Sequence, residues 1–364
     1  MKILFVLEHF HPYVGGVEFL FLQLGRELIQ DGQEVTVITT RYDTQLKKEE
    51  WCDGIRIIRI NARSRYSFSL KAIPAIVRAL KTHDIVHTTT YNAAIPTWIA
   101  TRFNRRKCIL TFHEYWGQLW NKLPFLNPLQ RVMYRVFEKT VSLLPFDKVV
   151  GVSDFTLNKL QSQGIPPSRL VRIYNGLDYD KYSNYRPSDN GGLHFTFVGR
   201  LGVSKGFDIL LPAVDRFLSI HPDYIFQLVI PKRPDNLFKK ITSAINLLKS
   251  SDRIKVYHHL PKQDLNQLIK DSSFVVIPSY SEGFCFVAAE SCALGTPVLH
   301  SGMGALKEVV SGKSINFSPF DQDGLYKGLA DAAANRWNNT PLKKFTLKDT
   351  IDSYMELYLA YINE

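Results

Sequence analysis

Two glutamates, Glu282 and Glu290, lie eight residues apart in the segment SEGFCFVAAESCALGTP, residues 281–297. The residues before them, FVVIPS, predict a strand, and FCFVAAESCALG predicts a helix that ends at Gly295. Glu282 is then expected in the loop before the helix. Glu290 is expected about six residues inside it, roughly 8 to 9 Å along the axis from the first amides.

This arrangement suits a sugar attached to a diphosphate. A helix N-terminus offers free N–H donors and a positive dipole, which favour a phosphate group. Carboxylates accept hydrogen bonds from vicinal hydroxyls, so a sugar would lie near Glu282 and a ribose near Glu290. The alternative is an N-terminal Glu that is favourable to the dipole and a solvated Glu in mid-helix.

Further residues favour the binding interpretation. In FVGRLGVSKG, Arg200 and Lys205 follow a predicted strand, and the glycines at 199, 202 and 206 allow a ligand to approach the backbone. Together they predict a cationic, phosphate-sized pocket. Near the start of the chain, Gly15 and Gly16 precede a helix with apolar residues at 3.6-residue spacing, which predicts a second helix N-terminus at the ligand. Each turn alone is equally typical of an ordinary strand-to-helix connection.

The elements that position these residues alternate between short β-branched runs and helical patterns. Such alternation predicts parallel sheets covered by helices on both faces. The pattern restarts after the polar stretch 178–192, which we interpret as a linker. We therefore expect an α/β protein of two doubly wound domains facing a cleft, with the ligand at the carboxyl ends of the strands. The predicted domains are 1–178, joined by a returning C-terminal helix at about 346–364, and 185–345.

Composition limits the class of protein. The chain has 364 residues and a net charge of +11. Residues 1–182 hold 25 Lys and Arg against 16 Asp and Glu, a balance of +9. An excess of positive charge is compatible with binding to nucleic acid, to an anionic membrane or to an acidic substrate. Because the sequence contains no recognised nucleic-acid-binding motif, we expect no nucleic-acid partner. No apolar run of the sequence is long enough for a membrane-spanning helix or a signal peptide. The four cysteines show no C-x-x-C spacing. We therefore expect a cytoplasmic protein.

At this point the motifs resemble a known family. The order and spacing of several of them are similar to the retaining nucleotide-sugar glycosyltransferases of family 4, which have the GT-B fold, and the similarity extends over nearly the whole chain. The residues that carry it are GGVE, TFHE, GVSDF, NGLD, VGRLGVSKG and EGFCFVAAE followed by ALGTPV.

The resemblance implies a role for each matching position. Gly16, beside Gly15, would offer its amide to the donor diphosphate, whose leaving charge Arg200 and Lys205 would neutralise. Glu290 would hold the ribose and Glu282 the transferred sugar, within a donor-binding segment that includes Gly283, Phe284 and Cys285. His113 resembles the family's histidine near the sugar, and Glu114 replaces the more usual Asp.

The implied reaction moves a hexose-type sugar from a nucleoside diphosphate, with a UDP-sugar favoured over a GDP-sugar, to an acceptor hydroxyl. Retention of anomeric configuration follows from the resemblance, as does a role in cell-surface polysaccharide or glycolipid synthesis. The main chemical task is to stabilise the leaving diphosphate with fixed donors. We expect no metal and no cofactor, and we interpret Asp178–Asp180 and Asp321–Asp323 as structural.

Two features depart from the pattern. Cys285 stands where relatives usually have Gly, and its place at a helix start predicts a lowered thiol pKa. The segment around His258 and His259 leaves the identity of the base open.

The acceptor side is predicted in the first domain, where the acceptor would be a glycan or a lipid-linked molecule. Residues 116–146 combine Trp116, Trp120 and nearby apolar residues with a basic row at 131, 135 and 139. This segment predicts peripheral contact with an anionic membrane at its inner face; the alternative is an ordinary helix with a solvated basic side. Other functions also stay open: a sugar-nucleotide epimerase of the same fold, a phosphorylase-like enzyme, or a non-catalytic nucleotide-sugar binder.

Overall fold

The computed structural model describes residues 1–13, 15–62, 64–188 and 192–363. The chain folds into two compact units. The first unit comprises Met1–Gly117, Val132–Asn175 and Leu347–Glu364, and the second comprises Gln118–Arg131 and Gly176–Thr346. The chain passes from the first unit to the second at Gly117–Gln118 and again at Asn175–Gly176.

The described part of the chain contains strands and helices in regular alternation. The strands are β1 (Lys2–Val6), β2 (Glu34–Thr40), β3 (Glu49–Cys52), β4 (Ile55–Ile60), β5 (Ile85–Thr89), β6 (Ile109–Phe112), β7 (Lys148–Gly151), β8 (Leu170–Arg172), β9 (Leu193–Val198), β10 (Tyr224–Val229), β11 (Ile254–Tyr257), β12 (Phe274–Ile277), β13 (Val298–His300), β14 (Gly312–Asn316) and β15 (Asn338–Thr340). The α-helices are α1 (Gly16–Gln30), α2 (Arg65–Lys71), α3 (Ile73–Ala79), α4 (Ala94–Phe103), α5 (Pro128–Leu143), α6 (Asp154–Ser162), α7 (Phe207–Ile220), α8 (Asp235–Asn246), α9 (Lys262–Asp271), α10 (Phe286–Leu294), α11 (Leu306–Val309), α12 (Gln322–Ala333) and α13 (Leu347–Asn363).

The first unit is built on a sheet with strand order β3-β4-β2-β1-β5-β6-β7-β8. Its strands pair in parallel except for β3, which is antiparallel to β4. The central strand β5 is buried along its whole length, as expected for β-branched runs covered on both faces. The sequence did not indicate β3, because its residues EEWC are mostly polar and it lies at the sheet edge.

The second unit repeats this construction with strand order β11-β10-β9-β12-β13-β14-β15. Its strands are parallel except for β15, which pairs antiparallel with β14. The three exposed residues of β15, Asn338–Thr340, carry no strand pattern, and the sequence did not indicate this strand either. Two mainly parallel sheets with helices between their strands confirm the predicted α/β class.

The predicted linker, residues 178–192, is partly folded. Residues Tyr179–Tyr182 form a 3-10 helix in which Tyr182 is buried. The Tyr179 hydroxyl accepts a hydrogen bond from the Phe345 amide at 2.9 Å. For residues 179–182 the linker interpretation was therefore wrong, because two tyrosines anchor the segment to the second unit. Residues 189–191 of this stretch lie outside the described residues.

A buried polar network attaches helix α13 to the sheet of the first unit. The His87 Nδ1 and the Tyr358 hydroxyl are 2.6 Å apart, and the His87 Nε2 and the Thr111 Oγ1 are 2.7 Å apart. Thr111 in turn lies 3.2 Å from the Tyr354 hydroxyl. His87 lies inside β5, where its ring links β5 to β6 and to α13.

This network predicts a pH-dependent stability. Burial lowers the pKa of His87 from 6.5 to about 3, with a smaller contribution from His113. Because the unfolded chain takes up the proton first, the stabilisation is complete above pH 6.5. It falls as the pH drops from 6.5 toward 3, by up to about 1.4 kcal/mol per pH unit.

Urea unfolding at pH 7 and pH 5 should therefore show a smaller loss of stability for His87→Gln than for the parent protein. Burial also lowers the pKa of His300, to about 4, but this group is unchanged in both proteins. Equal losses in the two proteins would contradict the assignment to His87.

Candidate active site

Two glycines bring three loops of the second unit into backbone contact. Gly206 has φ +68°, and a Cβ added there would lie 2.3 Å from the Pro278 carbonyl oxygen. Gly304 has φ +64°, and its added Cβ would lie 2.2 Å from the Glu282 carbonyl oxygen. The Ala305 amide donates to that same oxygen at 2.8 Å. Because a side chain fits at neither position, glycine is required for these loops to meet.

This close approach places Lys205 against Glu282. The Lys205 ammonium donates to Oε1 of Glu282 at 2.6 Å, and the Ser279 hydroxyl donates to the same atom at 2.6 Å. The Glu282 side chain is only 10% exposed. The predicted sugar-binding carboxylate and one predicted phosphate-binding cation thus form a hydrogen-bonded pair, so both are ordered before any ligand binds.

Glu290 is held in a similar way on helix α10. Its Oε1 accepts hydrogen bonds from the Lys262 ammonium and, at 3.3 Å, from the Tyr182 hydroxyl. Burial raises the pKa of Tyr182, and the Glu290 carboxylate raises it further. The phenol therefore keeps the proton that it donates. Lys262 is the first residue of α9, where the helix dipole disfavours a cation. A lysine at the first position of a predicted helix is the sequence signal that could have identified Lys262.

The start of α10 differs from the predicted one. The helix begins at Phe286, so Glu290 lies one turn inside, about 6 Å along the axis rather than the predicted 8 to 9 Å. Cys285 is the N-cap residue with φ +73°, a left-handed conformation that costs a side-chain-bearing residue about 1–2 kcal/mol. Its side chain does not cap the helix. Gly283 and Phe284 are buried, and the Phe284 ring contacts the rings of Phe286 and Phe345.

The expectation of a lowered thiol pKa at Cys285 was wrong. Burial raises the pKa of its thiol well above the usual value, and the nearby Glu282 carboxylate raises it further. The Lys205 ammonium acts in the opposite direction but does not reverse the shift. Cys285 is therefore a neutral thiol at pH 7.

Arg200 completes the set of predicted residues in the second unit. It follows β9 in the same loop as Lys205, and its side chain is exposed. Among the described residues, the guanidinium of Arg200 has no hydrogen-bond or ion-pair partner. An unpaired guanidinium is available to bind an anion with two parallel hydrogen bonds.

In the first unit, the predicted residues lie at the carboxyl edge of the sheet. Gly15 is the N-cap of α1, in an extended conformation, and Gly16 is the first helical residue. His113 directly follows β6, and its ring lies edge-on to Phe21 of α1, with centroids 6.3 Å apart. The structure therefore joins the start of α1 and the histidine loop through one aromatic contact.

A buried glutamate that the sequence analysis did not identify holds the histidine loop. Glu138 of α5 is 0% exposed. One of its oxygens accepts hydrogen bonds from the Trp116 amide at 2.9 Å and the Tyr91 hydroxyl at 3.0 Å, and the other accepts from the Gly117 amide at 2.6 Å. Glu138 is the sole acidic residue of α5. A single acid in an otherwise basic helix is the signal that could have identified it.

The outer side of α5 is apolar and basic. Val132, Met133, Val136 and Leu143 are each more than half exposed, and Arg135 and Lys139 lie beside them. The predicted aromatic part of this surface is different: Trp120 is buried, and Trp116 is half-buried. Arg131 is also engaged, since its guanidinium donates to the carbonyls of Asn121 and Leu123. In the described part of the chain, no helix has both the length and the apolar character needed to cross a bilayer.

The other candidate motifs have structural roles. The Ser153 hydroxyl caps α6 by accepting the Thr156 amide, and Asp321 caps α12 by accepting the Gly324 amide at 2.9 Å. Within the described ranges, no three His, Cys, Asp or Glu side chains gather as they would around a metal ion. Metal independence stays a prediction.

Two family models match consecutive parts of the chain. The model for Glycosyltransferase Family 4 matches residues 14–181, and the model for Glycosyl transferases group 1 matches residues 178–344. The chain is 26% identical over 310 residues to a GDP-mannose:cellobiosyl-diphosphopolyprenol alpha-mannosyltransferase of Xanthomonas campestris, covering 82% of this chain and 78% of the relative. It is 23% identical over 350 residues to a D-inositol 3-phosphate glycosyltransferase of Corynebacterium diphtheriae, covering 86% and 82%.

Solved structures show the same fold. Sucrose-phosphate synthase from Thermosynechococcus elongatus superposes with a TM-score of 0.84 at 21% identity, over 100% of this chain and 99% of that one. Anabaena HepE in complex with UDP and glucose superposes with a TM-score of 0.74 at 18% identity, over 99% and 100%.

Replacing Glu138 should loosen the histidine loop. In Glu138→Gln, one amide oxygen cannot accept all the hydrogen bonds that the carboxylate accepts, and the new NH₂ group faces a donor. Leaving a buried donor unsatisfied should lower the free energy of unfolding by about 1–3 kcal/mol. Urea unfolding measures this loss.

Glu356→Gln is the matched control, because Glu356 is exposed on α13. Its effect should stay within about 0.5 kcal/mol. Equal stability of Glu138→Gln and Glu356→Gln would show that the hydrogen bonds to Glu138 do not hold the loop.

Proposed function

The chain belongs to the family 4 type of glycosyltransferases with the GT-B fold, and from this premise we propose that it transfers a hexose-type sugar from a nucleoside diphosphate to an acceptor hydroxyl, with retention of configuration. The observation that carries the proposal is the pairing of Lys205 with Glu282 beside the uncapped start of α10. Cations, free helix amides and an oriented carboxylate together suit a diphosphate with a sugar attached.

Donor binding would redistribute the charges of the site. The diphosphate oxygens would accept hydrogen bonds from Lys205, Arg200 and the first amides of α10. Lys205 would then be shared between the diphosphate and Glu282, and Glu282 would have lone pairs free for sugar hydroxyls. Glu290, held by Lys262 and Tyr182, would accept the ribose hydroxyls.

The leaving diphosphate gains a negative charge as the bond to the sugar breaks. Fixed donors in a site of low water content stabilise such a charge without reorganising during the reaction. Lys205, which is already held by Glu282, and the start of α10, which has no side-chain cap, would supply such donors. In the first unit, Gly15 and Gly16 would contribute amides, and His113 would contact the sugar.

We propose a UDP-sugar as the donor, with GDP-mannose as the second candidate. Anabaena HepE was solved in complex with UDP and glucose, whereas the Xanthomonas relative is named for GDP-mannose. A thermal-shift screen of UDP-, GDP- and ADP-sugars separates them, because a tightly bound donor raises the unfolding temperature by mass action.

For the acceptor, we propose a glycan or a lipid-linked molecule used in cell-surface polysaccharide or glycolipid synthesis. The Xanthomonas relative is named for a cellobiosyl-diphosphopolyprenol. The apolar and basic surface of α5 supports a peripheral location, because exposed apolar residues with cations beside them suit an anionic membrane surface.

Arg200→Ala tests the proposed chemistry. Because Arg200 is exposed and unpaired in the described structure, the variant should fold normally. Loss of one donor to the leaving group should lower kcat by about 10²- to 10³-fold. The assay follows radiolabelled donor sugar into the acceptor, with Lys255→Ala, an exposed cation of β11, as the control.

The same assay separates the alternative functions. Labelled sugar on the acceptor supports transfer, an altered sugar still on the nucleotide indicates an epimerase, and binding without turnover indicates a sensor. Transfer should continue in the presence of EDTA. Equal kcat values for Arg200→Ala and Lys255→Ala would overturn the assignment of Arg200.

Val136→Glu tests the membrane surface. A carboxylate in the middle of the exposed apolar side of α5 should reduce co-sedimentation with vesicles of phosphatidylglycerol and phosphatidylcholine by about tenfold, because a charge must enter the interface. Leu247→Glu in the second unit is the control, since Leu247 is 85% exposed. Unchanged sedimentation of Val136→Glu, or no binding by the parent protein at low salt, would remove this surface from the proposal.

A further inference from the structure

A second concentration of positive charge lies at the amino-terminal edge of the first unit's sheet. A cavity of about 420 Å³ opens there, between the end of α4 and the starts of β6 and β7. An adjoining cavity of about 430 Å³ shares Arg102, Lys107 and Phe146 with it and extends to the start of β8. Gly15, Gly16 and His113 follow the opposite ends of the strands, so this pocket is not part of the proposed active site.

The pocket has many more cations than anions. Its lining contains one carboxylate, Asp147, whose Oδ2 already accepts a hydrogen bond from the Cys108 amide at 2.9 Å. The cationic residues of the lining are Arg102, Arg105, Arg106, Lys107, Lys148 and Arg169. In the part of the chain that the structure describes, the first four of these form no ion pair with a carboxylate.

The helix dipole does not account for this cluster. Cations near a helix C-terminus are stabilised by its negative end, and Arg102 lies in the last turn of α4. The effect falls off within one turn, however, and Lys148 and Arg169 belong to other elements. Repulsion among cations that line one cavity opposes folding, and an anion bound there would relieve it.

The backbone at Arg105 gives an independent indication. Arg105 has φ +50°, and the Arg106 amide donates to the Thr101 carbonyl at 2.8 Å as the chain leaves α4. Glycine is the usual residue at this position of a helix end, because it adopts the left-handed conformation without strain. Arg105 therefore brings a guanidinium to the cavity in a conformation that favours glycine, which motivates the hypothesis that its side chain has a use there.

We propose that this pocket binds a phosphate-bearing anion with at least two negative charges. Guanidinium groups match phosphate oxygens with paired hydrogen bonds, and three arginines of the RFNRRK segment line the cavity. The phosphate has two possible sources, an anionic lipid headgroup or a soluble oligophosphate. Phe103, beside Arg102, is 85% exposed, which suits insertion of its ring among lipid chains.

The test uses inorganic pyrophosphate as the soluble probe. All titrations are done with full-length protein carrying Arg200→Ala and Lys205→Ala, so that the proposed donor site does not contribute. Adding Arg102→Ala and Arg106→Ala should weaken binding by about tenfold or more, since each guanidinium lost removes a charge-assisted hydrogen bond. Lys239→Ala with Lys240→Ala on α8 removes the same charge from an exposed surface and should change binding less than about twofold.

Arg105→Gly separates a binding role from a structural one. Glycine adopts the left-handed conformation without strain, so the urea midpoint of unfolding should be unchanged or higher. Pyrophosphate binding should weaken by about tenfold, because a guanidinium is lost. A protein that binds pyrophosphate equally well with Gly at 105, or with Ala at 102 and 106, overturns the proposal. An equal loss of pyrophosphate binding in the α8 control variant also overturns the proposal.

Vesicles distinguish the two sources of phosphate. If the ligand is a lipid headgroup, the 102/106 variant loses co-sedimentation with phosphatidylglycerol vesicles, and pyrophosphate competes with those vesicles for the parent protein. If the ligand is soluble, the variant loses only pyrophosphate binding. Either result supports the pocket, and binding of neither probe by the parent protein overturns it. None of these outcomes depends on sugar transfer, so the proposal stands or falls separately from the proposed function.

Discussion

The contact on which the candidate site depends is the approach of backbone to backbone at Gly206 and Gly304. A Cβ at either position would overlap a carbonyl oxygen of the loop that leads into α10. Without this approach, the Lys205 ammonium would not reach the Glu282 carboxylate. The steric requirement is local, but its consequence is electrostatic: a cation and an anion are ordered in advance, at the start of a helix whose N-cap provides no competing side chain. Such preorganisation is the main way in which a protein stabilises charge that develops in a reaction.

Glu282 and Glu290 each have a lysine partner, which offsets the cost of burying a charged carboxylate. A carboxylate removed from water is costly unless it is paired and hydrogen-bonded. Glu282 has Lys205 and Ser279, and Glu290 has Lys262 and Tyr182. The partners satisfy the carboxylates without closing the site, because the Lys262 side chain is still half exposed. In the proposed function, a ligand would exchange places with an ordered partner rather than displace bulk water from an unpaired charge.

The sequence predicted those parts of the molecule that depend on neighbouring residues. Strand β12, the loop with Glu282 and the helix with Glu290 follow one another within about twenty residues, and hydrophobic periodicity and turn residues locate them. It did not predict partners that the topology brings from far along the chain. Lys262 lies 28 residues from Glu290, Tyr182 lies 108 residues away, and the hydrogen bond between His87 and Tyr358 spans 271 residues. The start of α10 was misplaced because Cys285 has a left-handed backbone conformation, which a helix-forming pattern does not reveal.

Cys285 and Arg105 show why such positions are informative. Both have the left-handed conformation that glycine adopts most readily, and both occur at a helix end. At Cys285 the side chain is a neutral thiol beside Glu282, so its presence shapes the turn without adding charge. At Arg105 the side chain adds charge to a cavity that already contains several cations. A conformation that is unfavourable for the residue persists only where the surrounding structure compensates for it or where the side chain has a use. The thiol fits the first explanation, because it is neutral and does not cap the helix that follows it. The guanidinium of Arg105 is exposed and lines the cavity, which fits the second explanation.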